Sequence, residues 1–195
     1  MNPFLSEYQT AYGVPPFGQI RFEHFQPAFV AGFAEQIAQY KEIEDNSEEA
    51  TFANTMEALE RSGTILTKVS RVFYSLLGTD ATAEMSELSK EIGAQMAAHH
   101  NRLYLSQKMY QRIDSLHQNP DLSWDLEQRR LIDEKHRKFV RSGVQLISSK
   151  RERLSEIDEE SATLSSQYRD NLLSENNTSM ILITEKASEQ LAKLR

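Results

Sequence analysis

The sequence predicts an all-α fold, a bundle-like lobe of about six to seven helices with one short β-strand near its C-terminal end. Three observations predict it. Apolar residues recur at spacings of three and four along most of the chain, which is typical of amphipathic helices. The 195 residues include only 7 glycines and 5 prolines, fewer than the turns of a β-sandwich or a dinucleotide-binding domain usually need. The chain has no cysteine, so it folds around an apolar core without disulfides.

Residues 1–21 are predicted to form an irregular N-terminal arm. Pro15 and Pro16 disfavour both a helix and a central strand, because proline lacks an amide proton and has a fixed φ. The arm is rich in Phe and Tyr, so we expect it to pack on the body of the protein. The alternative is a disordered tail.

Residues 22–176 are expected to form the helical domain. Thr51 is the expected N-cap of the second helix, and Ser62 with Gly63 is expected to kink or break that helix. Gly93 is expected to allow the close approach of another helix. The six expected helical segments are 24–43, 51–77, 83–104, 107–117, 123–143 and 146–175. In the last segment a stripe of apolar side chains is expected to face inward: Leu154, Ile157, Leu164, Tyr168 and Leu172.

Residues 177–195 are predicted to contain the strand, at 179–184, and a short final helix. Asn176 and Asn177 precede the strand as a turn signal. A single strand leaves its backbone donors and acceptors unpaired in water. We therefore expect its partner strand to come from another part of a longer polypeptide.

The charge balance bears on possible partners. The chain has 22 basic and 29 acidic residues, a formal net charge of −7, which argues against binding to nucleic acid or to an anionic membrane surface. It has no apolar run of about 18 residues that predicts a transmembrane helix, and no signal peptide is evident at its start. The expected location is the cytoplasm, or the periplasm if a leader peptide has been removed.

No catalytic motif is visible in the sequence. No histidine is followed by glutamate and no two histidines lie four residues apart, so there is no His-Glu-x-x-His motif. Gly-x-Ser-x-Gly and the glycine-rich phosphate-binding motifs are also absent. His136 lies on the same apolar stripe as Ile132 and Phe139, which favours a core or interface histidine over a metal ligand.

A basic run occupies residues 129–141. Within it, Arg137 and Arg141 lie one helical turn apart on the same face. Two interpretations are open: the arginines attract an anionic group such as a peptide carboxylate, or they bridge to neighbouring acids on an ordinary surface.

Four sequence blocks point to a known family. Residues 2–29 contain Asn-Pro-Phe, Tyr-Gly-Val-Pro-Pro-Phe and Glu-His-Phe-Gln-Pro-Ala-Phe, and residues 51–63 read Thr-Phe-Ala-Asn-Thr-Met-Glu-Ala-Leu-Glu-Arg-Ser-Gly. Residues 136–143 read His-Arg-Lys-Phe-Val-Arg-Ser-Gly, and residues 164–176 read Leu-Ser-Ser-Gln-Tyr-Arg-Asp-Asn-Leu-Leu-Ser-Glu-Asn. In this order they resemble the N-terminal part of the M3 family of zinc metallopeptidases, which includes the peptidyl-dipeptidases and the oligopeptidases A. The first block is most similar to the bacterial peptidyl-dipeptidase branch.

The resemblance implies the N-terminal helical lobe of a zinc-dependent peptidase that hydrolyses short peptides. In the family a His-Glu-x-x-His helix and a downstream glutamate bind zinc, in a C-terminal catalytic domain that these residues lack. The lobe is then one wall of a narrow substrate channel, inactive alone, with that missing domain as its partner. The resemblance implies no catalytic residue, metal ligand or cofactor in this chain. It implies that the full-length enzyme binds zinc.

The candidate substrate-channel residues are His136, Arg137 and Arg141. The alternative function is a free-standing helical module that binds another protein and has no enzymatic activity.

Overall fold

Seven α-helices make up most of the part of the chain that the structure, a computed structural model, describes: residues 1–121 and 123–178. They are α1 (Phe25–Glu44), α2 (Ala58–Arg61), α3 (Thr64–Thr79), α4 (Ala83–Tyr104), α5 (Gln107–Gln118), α6 (Leu126–Arg141) and α7 (Ser148–Thr178). Short 3₁₀ turns lie at Pro3–Leu5, Ala11–Gly13 and Phe22–His24, and a π-helical turn, Phe52–Glu57, precedes α2. The predicted all-α class is confirmed. The predicted strand at residues 179–184 and the helix after it lie outside the described residues.

The contacts divide the chain into two compact units, Met1–Gln145 and Leu146–Arg195. The first unit holds the N-terminal segment and α1 to α6, and the second begins just before α7. The predicted boundaries at residues 21 and 176 stay a prediction.

Helices α1 and α3 form the first core of unit Met1–Gln145 together with α4 and the N-terminal segment. The rings of Phe25 and Phe29 on α1 lie 5.2 and 5.4 Å from the ring of Phe73 on α3, both edge-to-face. Phe4 is fully buried and lies 5.4 Å from Phe25, so the first residues of the chain pack on this core. Its buried members are Phe4, Ile20, Phe25, Ala28, Phe29, Leu66, Val69, Val72, Phe73, Met85, Leu88 and Ile92.

A glycine sets the distance between α1 and α3. A Cβ atom on Gly32 of α1 would lie 2.7 and 2.8 Å from the backbone nitrogen and Cα of Leu66 on α3. By contrast, a Cβ on Gly93 of α4 would meet no atom within 4 Å in the described part of the chain. The expectation that Gly93 allows a close helix approach is therefore wrong, and Gly32 has that role.

Helices α2 and α3 are separated by a sharp break. Ser62 has extended backbone angles (φ −70°, ψ 151°), and Gly63 has the left-handed φ of 73° that side chains disfavour. The predicted break is thus confirmed. The predicted N-cap is also confirmed, because the Thr51 hydroxyl accepts from the Asn54 amide (3.1 Å) and the Asn54 side chain accepts from the Thr51 amide (2.8 Å).

Helices α5 and α6 form the second core of the same unit together with residues of α1, α2, α4 and the π-helical turn. Arg112 on α5 holds the loop before α2, because its guanidinium donates to the Asn46 carbonyl (2.8 Å), the Glu48 carbonyl (3.1 Å) and the Asn54 side chain (2.9 Å). The buried members of this core are Tyr40, Ile43, Met56, Leu59, Leu103, Tyr104, Met109, Tyr110, Ile113, Leu116, Ile132, Phe139 and Val144.

The apolar stripe of α7 does not lie inward as the periodicity predicts. Ile157, Leu164, Tyr168 and Leu172 are 46 to 68% exposed, and only Leu154 of the predicted stripe is half-buried. The inward prediction is wrong for those four, because their side chains are exposed to solvent. None of the described helices is both long enough and apolar enough to cross a membrane.

Candidate functional site

Helix α6 carries the three residues that the sequence nominates for a substrate channel, His136, Arg137 and Arg141. Helix α6 begins directly after Asp125, slightly later than predicted. The reason is that the Asp125 carboxylate accepts a hydrogen bond from the backbone amide of Gln128 (2.8 Å). The Gln128 side chain accepts in return from the Asp125 amide at 3.0 Å. This reciprocal cap fixes where the helix starts.

The side chains of these three candidate residues lie in two different environments. Ile132 and Phe139 of α6 are buried, and His136 between them is half-buried in the contact between α5 and α6. Arg137 and Arg141 are exposed. Within residues 1–121 and 123–178, neither guanidinium forms an ion pair or a hydrogen bond, although the charge of Arg137 contributes to lowering the pKa of the Glu134 carboxyl group. The bridge to neighbouring acids is thus not seen there, and a role in substrate binding stays a prediction.

His136 belongs to a polar cluster between α5 and α6. Its Nε2 lies 2.9 Å from Asp114 Oδ1 and 3.3 Å from the Tyr110 hydroxyl. The Tyr110 hydroxyl also donates to Asp114 Oδ1 (3.2 Å) and accepts from the Gln145 side chain (2.6 Å). The sequence-based interpretation of His136 as an interface histidine agrees with these contacts.

Electrostatics keep the Tyr110 phenol a donor in this cluster. Burial raises the pKa of Tyr110, and the adjacent negative charge of Asp114 raises it further. The hydrogen bond from Gln145 opposes the rise in pKa. The phenol therefore stays protonated at neutral pH and orients the Asp114 carboxylate.

A second histidine extends the cluster. The ring of His117 stacks on the ring of His136, with 4.0 Å between centroids and 4° between planes. Asp133 Oδ1 lies 3.4 Å from His117 Nε2. The other ring nitrogen of His117, Nδ1, is buried and has no hydrogen-bond partner within the described residues.

Three of the cluster residues can share one ion. Asp114, His117 and His136 each offer one ligand atom, and these atoms all lie within 4.8 Å of one another. The spacing of the histidines along the sequence does not indicate this set, because two of its ligands are an Asp and a His three residues apart. That i, i+3 spacing on α5 was the available signal, and the third ligand comes from another helix.

A polar cavity of about 280 Å³ lies between α1, α2, α4 and α6, apart from the cluster of His136 and His117. His99 Nε2 is 2.7 Å from the Gln36 side-chain oxygen, and the Lys135 ammonium is 2.6 Å from a Glu60 oxygen. Burial lowers the pKa of His99, and the positive charges of Arg102 and His100 lower it further. His99 Nδ1, by contrast, is buried and has no hydrogen-bond partner among the described residues. None of these contacts places a nucleophile next to a base.

Comparison with known proteins shows that the chain is similar to several peptidases. It is 33% identical over 188 residues to a dipeptidyl carboxypeptidase of Escherichia coli, which covers 96% of this chain and 28% of that protein. The resemblance to the M3 peptidases is confirmed. A dipeptidyl carboxypeptidase of Salmonella typhimurium is 34% identical over 88% of this chain and 25% of its own length. An organellar oligopeptidase A of Arabidopsis thaliana is 27% identical over 95% of this chain and 23% of its own length.

The chain spans about a quarter of the length of these curated relatives. No protein-family model matches it. The zinc motif that the resemblance implies does not occur among the 195 residues, since none of the five histidines precedes a glutamate. No step of zinc-dependent hydrolysis can therefore be assigned to this chain.

Proposed function

We propose that this chain is the N-terminal helical lobe of an M3-family, zinc-dependent peptidase that hydrolyses short peptides. The observation that carries the proposal is the 33% identity to a dipeptidyl carboxypeptidase along 96% of the chain, matched to 28% of that relative. The zinc ligands and the catalytic base belong to the remainder of the protein. The lobe forms one wall of the substrate channel and is inactive alone.

The exposed stripe on α7 supports a missing partner. Leu164 and Tyr168, one turn apart, are 57 and 68% exposed, and a continuous apolar helix face is stable in water only when something covers it. In the proposal the catalytic remainder of the peptidase covers this face. Substituting both residues by Ser should weaken the association of the chain with a separately produced remainder. The matched control substitutes Glu152 and Glu156, two exposed residues near the start of α7, by Gln.

Arg137 and Arg141 are proposed to lie on the channel wall. A guanidinium binds a carboxylate through two parallel N–H groups. The side chains of Arg137 and Arg141 are exposed, and neither forms an ion pair or a hydrogen bond within the described residues. Their role is to attract the negative end of a short peptide. Such long-range attraction changes binding more than it changes the chemical step, and added salt weakens it.

The activity test compares two proteins on a blocked tetrapeptide. The full-length protein that carries this sequence should release a dipeptide or cleave the peptide, and a zinc chelator should abolish the reaction. The 195-residue chain alone should show no hydrolysis under the same conditions. Hydrolysis by the chain alone, or a folded full-length protein that cleaves no short peptide, would overturn the proposal.

The channel-wall test uses the full-length protein with Arg137→Gln and Arg141→Gln together. We expect the KM for a short anionic peptide to rise about two- to tenfold at low salt, with kcat unchanged. The control, Arg61→Gln with Arg71→Gln, removes the same charge from α2 and α3 and should leave KM unchanged. An unchanged KM in the first variant would remove these arginines from the channel wall.

The proposed location is the cytoplasm, or the periplasm if the protein is made with a leader. One relative is named a probable cytosolic oligopeptidase A and another an organellar one. Fractionation of the source cells, with an antibody against this chain, tests the assignment.

A free-standing interaction module is the second candidate, because an exposed apolar face on α7 is also what a partner-binding helix presents. The two candidates differ in the natural reading frame after Arg195. Continuation into a His-Glu-x-x-His helix supports the peptidase, and a stop codon supports the module.

A further inference from the structure

The cluster between α5 and α6 has the composition of a transition-metal site. Its three possible ligand atoms come from two imidazoles, His117 and His136, and one carboxylate, Asp114, all half-buried. Imidazole and carboxylate without a thiolate suit zinc and neighbouring divalent ions, whereas calcium and magnesium prefer oxygen ligands alone. We propose that these three residues bind one divalent transition-metal ion, with Zn²⁺ the best fit. The proposal does not depend on the peptidase assignment.

The distances are close to those that a bound zinc ion requires. With zinc–ligand bonds of about 2.0 Å, two ligand atoms in a tetrahedral site lie about 3.3 Å apart. His136 Nε2 and Asp114 Oδ1 are already 2.9 Å apart, and no pair in the set exceeds 4.8 Å. The rings of His117 and His136 are stacked with 4° between their planes, so the ring of His117 must turn out of this stack before its lone pair points at the same ion. A bound zinc ion would take the place of the direct contact between His136 and Asp114.

The neighbours of the three residues can act as an outer shell. Tyr110 donates to Asp114 and is itself held by Gln145, so the carboxylate has a fixed orientation. Asp133 lies 3.4 Å from Nε2 of His117 and favours a proton on that nitrogen. Metal-binding histidines commonly have a carboxylate beside the nitrogen that does not bind the metal.

A buried nitrogen without a partner is an independent indication. His117 Nδ1 is buried and, among residues 1–121 and 123–178, makes no hydrogen bond. A proton held on Nε2 beside Asp133 would leave on Nδ1 the free electron pair that a metal ion accepts. A purely structural hydrogen-bond network would leave this nitrogen unsatisfied, at a cost in free energy. A bound ion satisfies it.

The site has an approach from solvent. A cavity of about 240 Å³ is lined by His117 and Asp133 together with Trp124 and Ile132. Three protein ligands leave a fourth position for a water molecule. Because Asp114 and His117 lie on α5 and His136 lies on α6, the ion ties the two helices together and stabilises the folded unit.

The test measures Zn²⁺ binding by calorimetry to the 195-residue chain, purified without a polyhistidine tag and stripped with a chelator. We expect one ion per chain, and a rise in Tm of about 5–10 °C at a free zinc concentration about 100 times the dissociation constant. Asp114→Asn with His117→Gln should weaken binding by more than about 100-fold, which exceeds the usual loss from an outer-shell change. Circular dichroism checks that this variant folds.

His100→Gln is the matched control, since it removes an exposed histidine outside the cluster and should leave the affinity unchanged. A second readout needs no variant: X-ray absorption of the zinc-loaded chain should show two imidazoles and at least one oxygen ligand at about 2.0 Å. The proposal is overturned if the chain binds no zinc, if the double variant binds it equally well, or if the absorption spectrum shows fewer than two imidazoles.

Discussion

The close packing of α1 on α3 makes Gly32→Ala the sharpest test of the fold. The added methyl group would lie 2.7 Å from the backbone nitrogen of Leu66, 2.8 Å from its Cα and 3.1 Å from its Cβ. Favourable contacts between carbon atoms lie at about 3.5–4.0 Å. The atoms in the way belong mainly to backbone within α3, so no side-chain rotation relieves the overlap, and the two helices must move apart.

The expected loss of stability follows from two opposing effects. Overpacking a core costs about 1–3 kcal/mol, whereas replacing a glycine by alanine inside a helix stabilises it by about 0.5–1 kcal/mol. At the middle of both ranges, the net destabilisation from Gly32→Ala is about 1 kcal/mol. For a chain of this size, that lowers Tm by about 2–4 °C.

The assay is thermal and urea unfolding followed by circular dichroism, with Gly93→Ala as the matched control. Gly93 is also inside a helix, but a methyl group there meets no described atom within 4 Å, so that variant should gain about 0.5–1 kcal/mol. Opposite signs for the two variants support the close approach at Gly32. A Gly32→Ala variant as stable as Gly93→Ala would show that α1 and α3 do not touch there.

Three further changes test individual contacts. Arg112→Lys should lower the free energy of unfolding by about 1–3 kcal/mol, because an ammonium cannot replace the guanidinium hydrogen bonds to the loop before α2. The control Arg61→Lys, in an exposed i, i+4 pair, should change the free energy of unfolding by less than about 0.5 kcal/mol. Equal urea midpoints for the two variants would contradict the role of Arg112. Because the folded chain holds the pKa of His99 below its ordinary 6.5, the unfolded chain binds the proton first as pH falls, so stability is present above pH 6.5 and decreases below it. His99→Gln should flatten that decrease in Tm scans between about pH 7.5 and 5.5, and an unchanged slope would refute the assignment. Thr51→Ala removes the N-cap and should cost about 1 kcal/mol by urea unfolding, whereas Thr51→Ser should retain most of it.

Local features of the fold could be predicted from the sequence because their causes are local. Helix α4 occupies the predicted residues 83–104, since its apolar spacing lies within the segment and its cap, Thr82, directly precedes it. The break at Ser62 and Gly63 depends on the left-handed φ that glycine accepts most easily. Each of these needs only residues within a few positions of one another.

Contacts between helices could not be predicted in the same way. Gly32 and Gly93 both lie in helical patterns, and only the packing of α3 against α1 distinguishes them. Asp114 and His136 are 22 residues apart, so their contact depends on how α5 and α6 pack together. The sequence showed both residue types, but it did not show that they share one site.

The stripe on α7 shows what periodicity can and cannot predict. Leu164, Tyr168 and Leu172 recur at the four-residue spacing of one helix face, yet all three are exposed. An apolar helix face indicates that the face is buried in the functional protein. The surface that covers it can belong to another part of the protein. If the chain functions as the lobe of a larger peptidase, the predicted inward orientation is right for the assembled enzyme and wrong for the lobe alone.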